Sequence, residues 1–159
     1  MPTTQAGATR RRIESHTPQA TRELAQALAS VARAGDLIAL HGELGAGKTE
    51  LAKGFGAGLG VRATINSPSY VLMAEYEGRL PLFHIDLYRL EDGVDGLATG
   101  LLDERQATGV SLVEWAERLG PGLPAERLDI VIEGSADEPR TIELTATSSD
   151  LVRYLEALG

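Results

Sequence analysis

The chain of 159 residues contains no cysteine. This absence excludes disulfide bonds, cysteine-ligated zinc and thiol catalysis. Aromatic residues make up only 4% of the sequence, whereas hydrophobic residues as a whole make up 43%. We therefore predict a core built mainly of Leu, Val, Ile and Ala. The length suits a single domain.

An excess of positive charge is also lacking. Lys and Arg together number 15 against 23 for Asp and Glu, which gives a formal net charge of −8. A broadly acidic surface does not attract the nucleic-acid backbone. If RNA is involved, we expect another subunit to hold it.

Long apolar segments are missing as well. No stretch approaches the ~20 apolar residues that a membrane-spanning helix requires. Residues 1–15 lack the apolar run and cleavage site of a signal peptide, so we expect a cytoplasmic protein. We predict a flexible terminus over residues 1–11, followed by one domain over 12–159.

What the sequence does contain is a phosphate-binding pattern. Residues 42–49 read Gly-Glu-Leu-Gly-Ala-Gly-Lys-Thr and fit G-x-x-x-x-G-K-[ST]. Glycines let the loop adopt positive φ and turn its N–H groups inward, where the dipole of the following helix adds to their attraction for anions. Lys48 would reach the β- and γ-phosphates, and the Thr49 hydroxyl would bind Mg²⁺. The alternative is an ordinary glycine-rich turn.

The flanking sequence favours the phosphate-binding interpretation. A short apolar run over 37–40 predicts a buried strand before the loop. Residues 49–59 are apolar at every fourth position from Leu51, which predicts one buried helix face, and Gly60 is suited to end that helix. A strand, a loop and a helix in this order are the context that such a loop requires.

The rest of the chain alternates between strand and helix patterns. The predicted elements are an edge strand over 12–15, a helix beginning at Thr17-Pro18, strands over 70–76 and 80–88 with a tight turn at Glu77-Gly78, a helical region over 94–107, a strand over 110–113, paired strands over 128–132 and 141–144, and a last helix capped by Ser148 or Ser149. This order predicts an α/β fold. We expect a three-layer P-loop NTPase domain whose central mixed β-sheet is flanked by helices, with β-hairpin additions.

A polar set interrupts one of the apolar strands. Strand alternation places His84, Asp86 and Tyr88 on one face. Polar side chains inside an apolar strand are costly unless they are paired or catalytic. Asp86 is therefore a candidate to position the attacking group in phosphoryl transfer. The alternative is the solvent-facing side of an edge strand.

A second acid follows another apolar strand. Glu114 comes directly after Leu112-Val113, where a metal-binding acid is expected at the carboxyl end of a strand. The alternative is an acid in a first helical turn. Trp115, the only tryptophan, either lines a nucleotide pocket or packs in the core.

A polar loop lies between the predicted helix and the first hairpin strand. It contains Thr64, Ser67 and Ser69 and has the character of a switch that senses the γ-phosphate. The alternative is that Ser67-Pro68 simply begins a turn.

Together these motifs resemble a known family. They occur in the order Gly-Glu-Leu-Gly-Ala-Gly-Lys-Thr at 42–49, Ser-Pro-Ser-Tyr at 67–70, His-Ile-Asp-Leu-Tyr-Arg at 84–89 and Leu-Val-Glu-Trp at 112–115. This combination resembles the TsaE family, also called YjeE, of small bacterial P-loop ATPases. The resemblance extends from about Ser15 to the final strands.

The resemblance implies a function in RNA modification. The family takes part in forming threonylcarbamoyladenosine on tRNAs that read codons beginning with A. It hydrolyses ATP with Mg²⁺ and associates with the TsaD–TsaB complex, where hydrolysis is thought to drive turnover. The implied cofactors are ATP and Mg²⁺, the implied partner is a TsaD–TsaB-type complex, and tRNA is contacted only indirectly.

Residue roles follow by matched position. The resemblance implies that Lys48 and Asp86 are catalytic and that Thr49 and Glu114 serve Mg²⁺. It places a switch-like loop at Thr64, Ser67 and Ser69. The implied nucleotide-binding residues are Gly42, Glu43, Leu44, Gly45, Ala46, Gly47, Lys48, Thr49, Glu50 and Trp115. Glu50 departs from the family, which commonly has Thr there, and we expect its charge to weaken ATP binding somewhat.

Two other classes of function fit a phosphate-binding loop. One is a small-molecule kinase, which usually closes an arginine-rich lid over ATP. Arg118, Arg127 and Arg140 are scattered along the sequence and do not obviously form such a lid. The other is a nucleotide-gated assembly protein in which hydrolysis is incidental.

Overall fold

The computed structural model describes residues 9–43, 45–66, 73–88 and 104–159. The strands are β1 (Thr9–Ser15), β2 (Leu37–His41), β3 (Met73–Tyr76), β4 (Leu82–Asp86), β5 (Val110–Glu114), β6 (Leu128–Glu133) and β7 (Arg140–Ala146). The helices are α1 (Pro18–Ala29), α2 (Lys48–Gly58) and α3 (Val152–Glu156), with 3-10 helices at Glu104–Thr108 and Ala116–Gly122.

The described strands form one mixed sheet in the order β1-β7-β6-β2-β5-β4-β3. The four strands β6, β2, β5 and β4 run parallel to one another. The outer strands pair antiparallel, β7 with β6 and β1, and β3 with β4. The predicted α/β fold with a central mixed sheet is confirmed. Because β2, β4 and β5 are parallel, their carboxyl ends meet at one edge of the sheet.

The two faces of the sheet bury separate apolar clusters. Ile38 and Leu40 of β2 face the cluster that α1, α2 and α3 cover. Leu37 and Ala39 face the opposite cluster, which the 3-10 helix Ala116–Gly122 covers among the described residues. Full burial on both faces explains why the central strand reads as a continuous apolar run.

Helices α1 and α2 approach each other unusually closely at glycines of α2. A Cβ atom at Gly54 would clash with backbone atoms of Arg22, and one at Gly58 would lie 2.6 Å from the Cβ of Ala29. The close packing of α2 against α1 therefore requires glycine, which has no side chain, at positions 54 and 58.

The ends of both long helices agree with the sequence. The Thr17 hydroxyl accepts a hydrogen bond from the backbone N–H of Ala20 at 3.0 Å and caps α1, as predicted. Gly60 follows α2 with φ of +80°. Its N–H donates to the carbonyl of Ala57, which ends the helix as predicted.

The N-terminal strand begins earlier than predicted. Residues 9–11, assigned to a flexible terminus, belong to β1, which pairs with β7 from Thr9 opposite Ala146 onwards. The Arg11 guanidinium donates hydrogen bonds of 2.9 Å to the carbonyls of Leu155 and Gly159. Ladder pairing and these contacts with the C-terminal residues fix a segment that is polar in sequence.

One predicted turn and one predicted helix cap are wrong. The tight turn at Glu77-Gly78 is instead a connection over 77–81, in which the Arg79 N–H donates to the carbonyl of Leu59 at 2.6 Å. No serine side chain caps α3, and the Ser148 hydroxyl donates to the Glu126 carboxylate at 3.1 Å. Contacts from distant parts of the chain decide both places.

Some predicted segments fall partly outside the described residues. The strand predicted over 70–76 is seen as β3, and residues 70–72 lie outside the described ranges. The helical region predicted over 94–107 is described only from residue 104, where a 3-10 helix begins. In the described part of the chain, no helix has the length and apolar character to cross a membrane.

Charged side chains surround the last residue of β2. His41 Nδ1 lies 3.2 Å from a Glu117 oxygen, and Nε2 lies 3.1 Å from Oδ1 of Asp129. Arg127 Nε donates to the same Asp129 oxygen at 3.0 Å. The hydrogen bond to Asp129 is the main cause that raises the pKa of His41 above 6.5, although burial acts in the opposite direction.

Gly54→Ala should destabilise the fold by about 2 kcal/mol, since the added methyl group overpacks against the backbone of α1. This would occur although alanine favours an exposed helix by ~1 kcal/mol relative to glycine. Urea unfolding measures the change. Gly56→Ala is the matched control, because its methyl group meets the end of the movable Ile65 side chain. Equal losses in both variants would contradict the close-approach explanation.

The His41 cluster should make stability depend on pH. Because the folded pKa of His41 lies above its ordinary 6.5, the stabilisation is complete below that pH and is lost as the pH rises through the folded value. We expect His41→Gln to cost about 1 kcal/mol more near pH ~5.5 than near pH ~8.5. Urea unfolding at both pH values checks this, with His16→Gln as the control at an exposed histidine. A cost that does not change with pH would be the contrary result.

Candidate functional site

The phosphate-binding pattern lies between the carboxyl end of β2 and the start of α2. Gly45 and Gly47 have φ of +84° and +113°, the left-handed region that favours glycine. A Cβ atom at Gly42 would lie 2.8 Å from the carbonyl oxygen of Ile132. Gly47 precedes α2 without a side-chain cap, so that first-turn N–H groups are available to a ligand.

Lys48 carries a buried cation at this helix terminus. Only 6% of the residue is exposed, and its Nζ has no hydrogen-bond partner among the residues that the structure describes. The Nζ lies 4.3 Å from the centroid of the Trp115 ring. A cation–π contact stabilises a desolvated ammonium only in part, so the position favours an incoming anion.

Trp115 is held over Lys48 by its backbone. It follows β5 with φ of 57°, a left-handed conformation that is uncommon for a residue with a side chain. Its ring centroid is 5.1 Å from that of Tyr88, and the Arg118 guanidinium carbon is 5.8 Å from it. The half-buried ring packs against the second apolar cluster and also contacts Lys48. That Trp115 lines a nucleotide pocket stays a prediction.

The two predicted acids stand side by side. The parallel register of β4 and β5 pairs Asp86 with Glu114 at the edge of the sheet next to the loop. Asp86 Oδ1 accepts a hydrogen bond from the Tyr88 N–H at 2.9 Å. Glu114 is 3% exposed and ends β5, which rules out its alternative interpretation as an acid in a helical turn.

His84 joins this pair from inside the sheet. The residue is fully buried, and its Nε2 lies 2.6 Å from Oε2 of Glu114. The alternative of a solvent-facing side of an edge strand is therefore wrong at His84, because β4 lies between β3 and β5 and the side chain is buried. Further along the same face, Asp86 is half-buried and Tyr88 is exposed. The alternation of side chains along the strand singled out His84 but did not predict its contact with Glu114.

The sequence did not predict that Arg140 contacts the phosphate-binding loop. Arg140, the first residue of β7, donates from Nε to the carbonyl of Ala46 at 2.9 Å and from Nη2 to that of Gly45 at 3.4 Å. These contacts join positions that are 94 and 95 residues apart, and no local pattern marks them.

The charge of Glu50 is compensated. Its carboxylate forms an ion pair with Arg22 of α1. The weakening of ATP binding that we expect from Glu50 stays a prediction, although Arg22 should lessen it.

Two cavities that are lined by described residues flank the loop. One of about 360 Å³ lies beside Gly47 and Glu50 and is bordered by His16, Thr17 and Arg140. The other, of about 600 Å³, lies on the Trp115 side. Its lining includes the carboxylates Glu43, Glu117, Glu133 and Glu138.

The switch-like loop is only partly described. Thr64 is exposed, whereas its neighbour Ile65 is buried against α2. Ser67, Ser69 and, in the phosphate loop, Leu44 lie outside the described residues. The other predicted site residues surround the start of α2 and the adjoining ends of β4 and β5.

Known proteins are similar to this chain in sequence and in fold. The family model described as "Threonylcarbamoyl adenosine biosynthesis protein TsaE" matches residues 15–142. The TsaE protein of Bacillus subtilis is 44% identical over 143 residues, which cover 89% of each chain. That of Streptomyces coelicolor is 42% identical over 131 residues, covering 78% of this chain and 88% of the relative. Both relatives are named tRNA threonylcarbamoyladenosine biosynthesis proteins.

A solved structure agrees with these sequence matches. The crystal structure of Bacillus subtilis YdiB superposes with a TM-score of 0.78 at 36% identity and covers 97% of each chain. Family match, sequence identity and fold thus agree over most of the chain. The chain belongs to the TsaE family of threonylcarbamoyladenosine biosynthesis proteins.

Proposed function

We propose that this chain is a Mg²⁺-dependent ATPase that serves threonylcarbamoyladenosine modification of tRNA as a nucleotide-driven subunit of a TsaD–TsaB-type complex. The observation that carries the proposal is the buried Lys48 ammonium, which lacks a hydrogen-bond partner among the described residues. Its position at the start of α2 is suited to the phosphates of a nucleoside triphosphate. Family membership supports the tRNA pathway.

The residues around Lys48 fit a bound magnesium ion. The Thr49 hydroxyl and the Glu114 carboxylate would hold it, and both offer the oxygen ligands that Mg²⁺ prefers. The ion would neutralise negative charge on the β- and γ-phosphates. Asp86, paired in register with Glu114, would position the attacking water, either directly or through the shell of the ion.

The cavity of about 360 Å³ is our candidate for the nucleoside site. Glu50 and Gly47 border it, whereas Trp115, which lies next to Lys48, borders the other cavity. A triphosphate that runs from the acids along the first turn of α2 would leave its nucleoside beside Glu50. His16 and Thr17 offer polar groups there.

The small-molecule kinase is a weaker candidate. Arg140 is engaged by carbonyls of the phosphate loop, and Arg127 by Asp129. Neither is therefore placed to act as a mobile lid over the phosphates. A nucleotide-gated assembly protein remains the other alternative, in which partner binding would survive the loss of hydrolysis.

Asp86→Ala should retain nucleotide binding and lose at least ~100-fold in turnover, since a positioned proton acceptor contributes on that scale. Phosphate release from Mg-ATP, measured for the chain alone and with its cognate TsaD–TsaB complex, tests this. Glu156→Ala, at an exposed acid of α3, is the control. We expect the complex to stimulate wild type and the control only. Wild-type turnover in Asp86→Ala would refute its role, and ATP use only with a small-molecule acceptor would favour the kinase.

Lys48→Ala should weaken nucleotide binding about 10-fold or more, because a hydrogen-bonded charge pair with phosphate is lost. Since Trp115 is the only tryptophan and lies over Lys48, its fluorescence should report binding directly. Lys53→Ala is the matched control, as these are the only two lysines in the chain. Equal loss in both variants would show that Lys48 has no special function in phosphate binding.

A further inference from the structure

A buried histidine contacts the acid that we assign to the metal ion. His84 lies on β4, fully buried, between the apolar residues Phe83 and Ile85. It pairs in register with Leu112 of β5, and its ring reaches Glu114, two positions further along that strand. The contact between Nε2 and Oε2 of Glu114 is 2.6 Å.

The metal role proposed for Glu114 indicates which ring nitrogen of His84 carries a hydrogen. A carboxylate that binds Mg²⁺ is ionised and only accepts hydrogen bonds, so that role requires Nε2 to donate. With the hydrogen on Nδ1 alone, two acceptors would face each other at 2.6 Å. Nδ1 is buried without a hydrogen-bond partner in the described part of the chain. Among the described residues, Glu114 is thus the only hydrogen-bond partner of the His84 ring.

An apolar residue at position 84 would avoid this arrangement. Leu82 and Leu112 beside it are fully buried, so a hydrophobic side chain would suit the packing. A buried nitrogen without a partner lowers stability. Such a feature is expected where a polar contact serves a site rather than the fold.

We propose that His84 is a positioning residue for Glu114. Its Nε2–H engages Oε2, which fixes the orientation of the carboxylate and leaves the second oxygen to bind Mg²⁺. Metal-binding carboxylates depend on such outer partners for their orientation and affinity. The inference rests on the proposed function, because it assigns His84 to the same metal site.

Two amide substitutions separate positioning from packing. In His84→Gln the amide nitrogen can reach the place of Nε2 and donate to Glu114. In His84→Asn the amide stops near the place of Nδ1 and cannot. Both variants bury the same polar group, so melting temperatures should fall by similar amounts.

The readout is nucleotide affinity from Trp115 fluorescence, measured in EDTA and across a Mg²⁺ titration. We expect His84→Asn to raise the Mg²⁺ concentration for half-saturation about 10-fold or more, the usual scale for an outer partner of a metal ligand. Affinity in EDTA should be unchanged, and His84→Gln should stay near wild type. If nucleotide binding by the wild type depends on Mg²⁺ and His84→Asn shows the same Mg²⁺ dependence, the inference about His84 is wrong but the proposed metal site stands. If nucleotide affinity of the wild type does not change with Mg²⁺, both the proposed metal site and this inference are wrong.

A second measurement needs no substitution at position 84. The chain has three histidines, so ¹⁵N NMR of the imidazole rings resolves His84 in wild type. We expect its hydrogen on Nε2, with a signal that shifts when Mg²⁺ joins bound nucleotide and not when nucleotide binds in EDTA. A hydrogen on Nδ1 only, or a signal indifferent to Mg²⁺, would overturn the inference even if His84→Asn fails to fold.

Discussion

The ammonium of Lys48 is the physical constraint on which the site depends. A buried cation without a hydrogen-bond partner is unfavourable, and the part of the chain described here gives it only the face of Trp115. The surrounding structure maintains this position, because Lys48 begins a helix that is packed tightly against α1. In the function that we propose, the fold therefore holds this cation in place before a phosphate arrives.

The loop around Lys48 is held from several directions. Arg140 binds carbonyls at its centre, Ile132 leaves no space for a side chain at Gly42, and Arg22 pairs with Glu50 in the first turn of α2. Arg140 contacts the loop through carbonyl oxygens, and the Ala46 N–H donates to the carbonyl of Glu43 at 3.1 Å, so contacts inside and outside the loop hold its backbone. A loop held in this way at the start of a helix suits the phosphate binding that we propose.

The acidic half of the site follows from the parallel strands. Parallel register brings the carboxyl ends of β4 and β5 together, so that Asp86 and Glu114 become neighbours although they are 28 positions apart in the sequence. His84 contacts Glu114 from within the sheet at 2.6 Å. In the function that we propose, these two neighbouring acids serve Mg²⁺ and the attacking water.

The sequence by itself determined the features whose signals are local. Glycine positions and a four-residue spacing identified the loop and α2, the Thr17 hydroxyl identified the start of α1, and apolar runs identified the central strands. Only the tertiary structure decided the contact of Arg140 with the loop, the partner of His84 and the start of β1 at Thr9. Each of these depends on strand register or on residues far apart in the chain, where one contact leaves no periodic pattern to read.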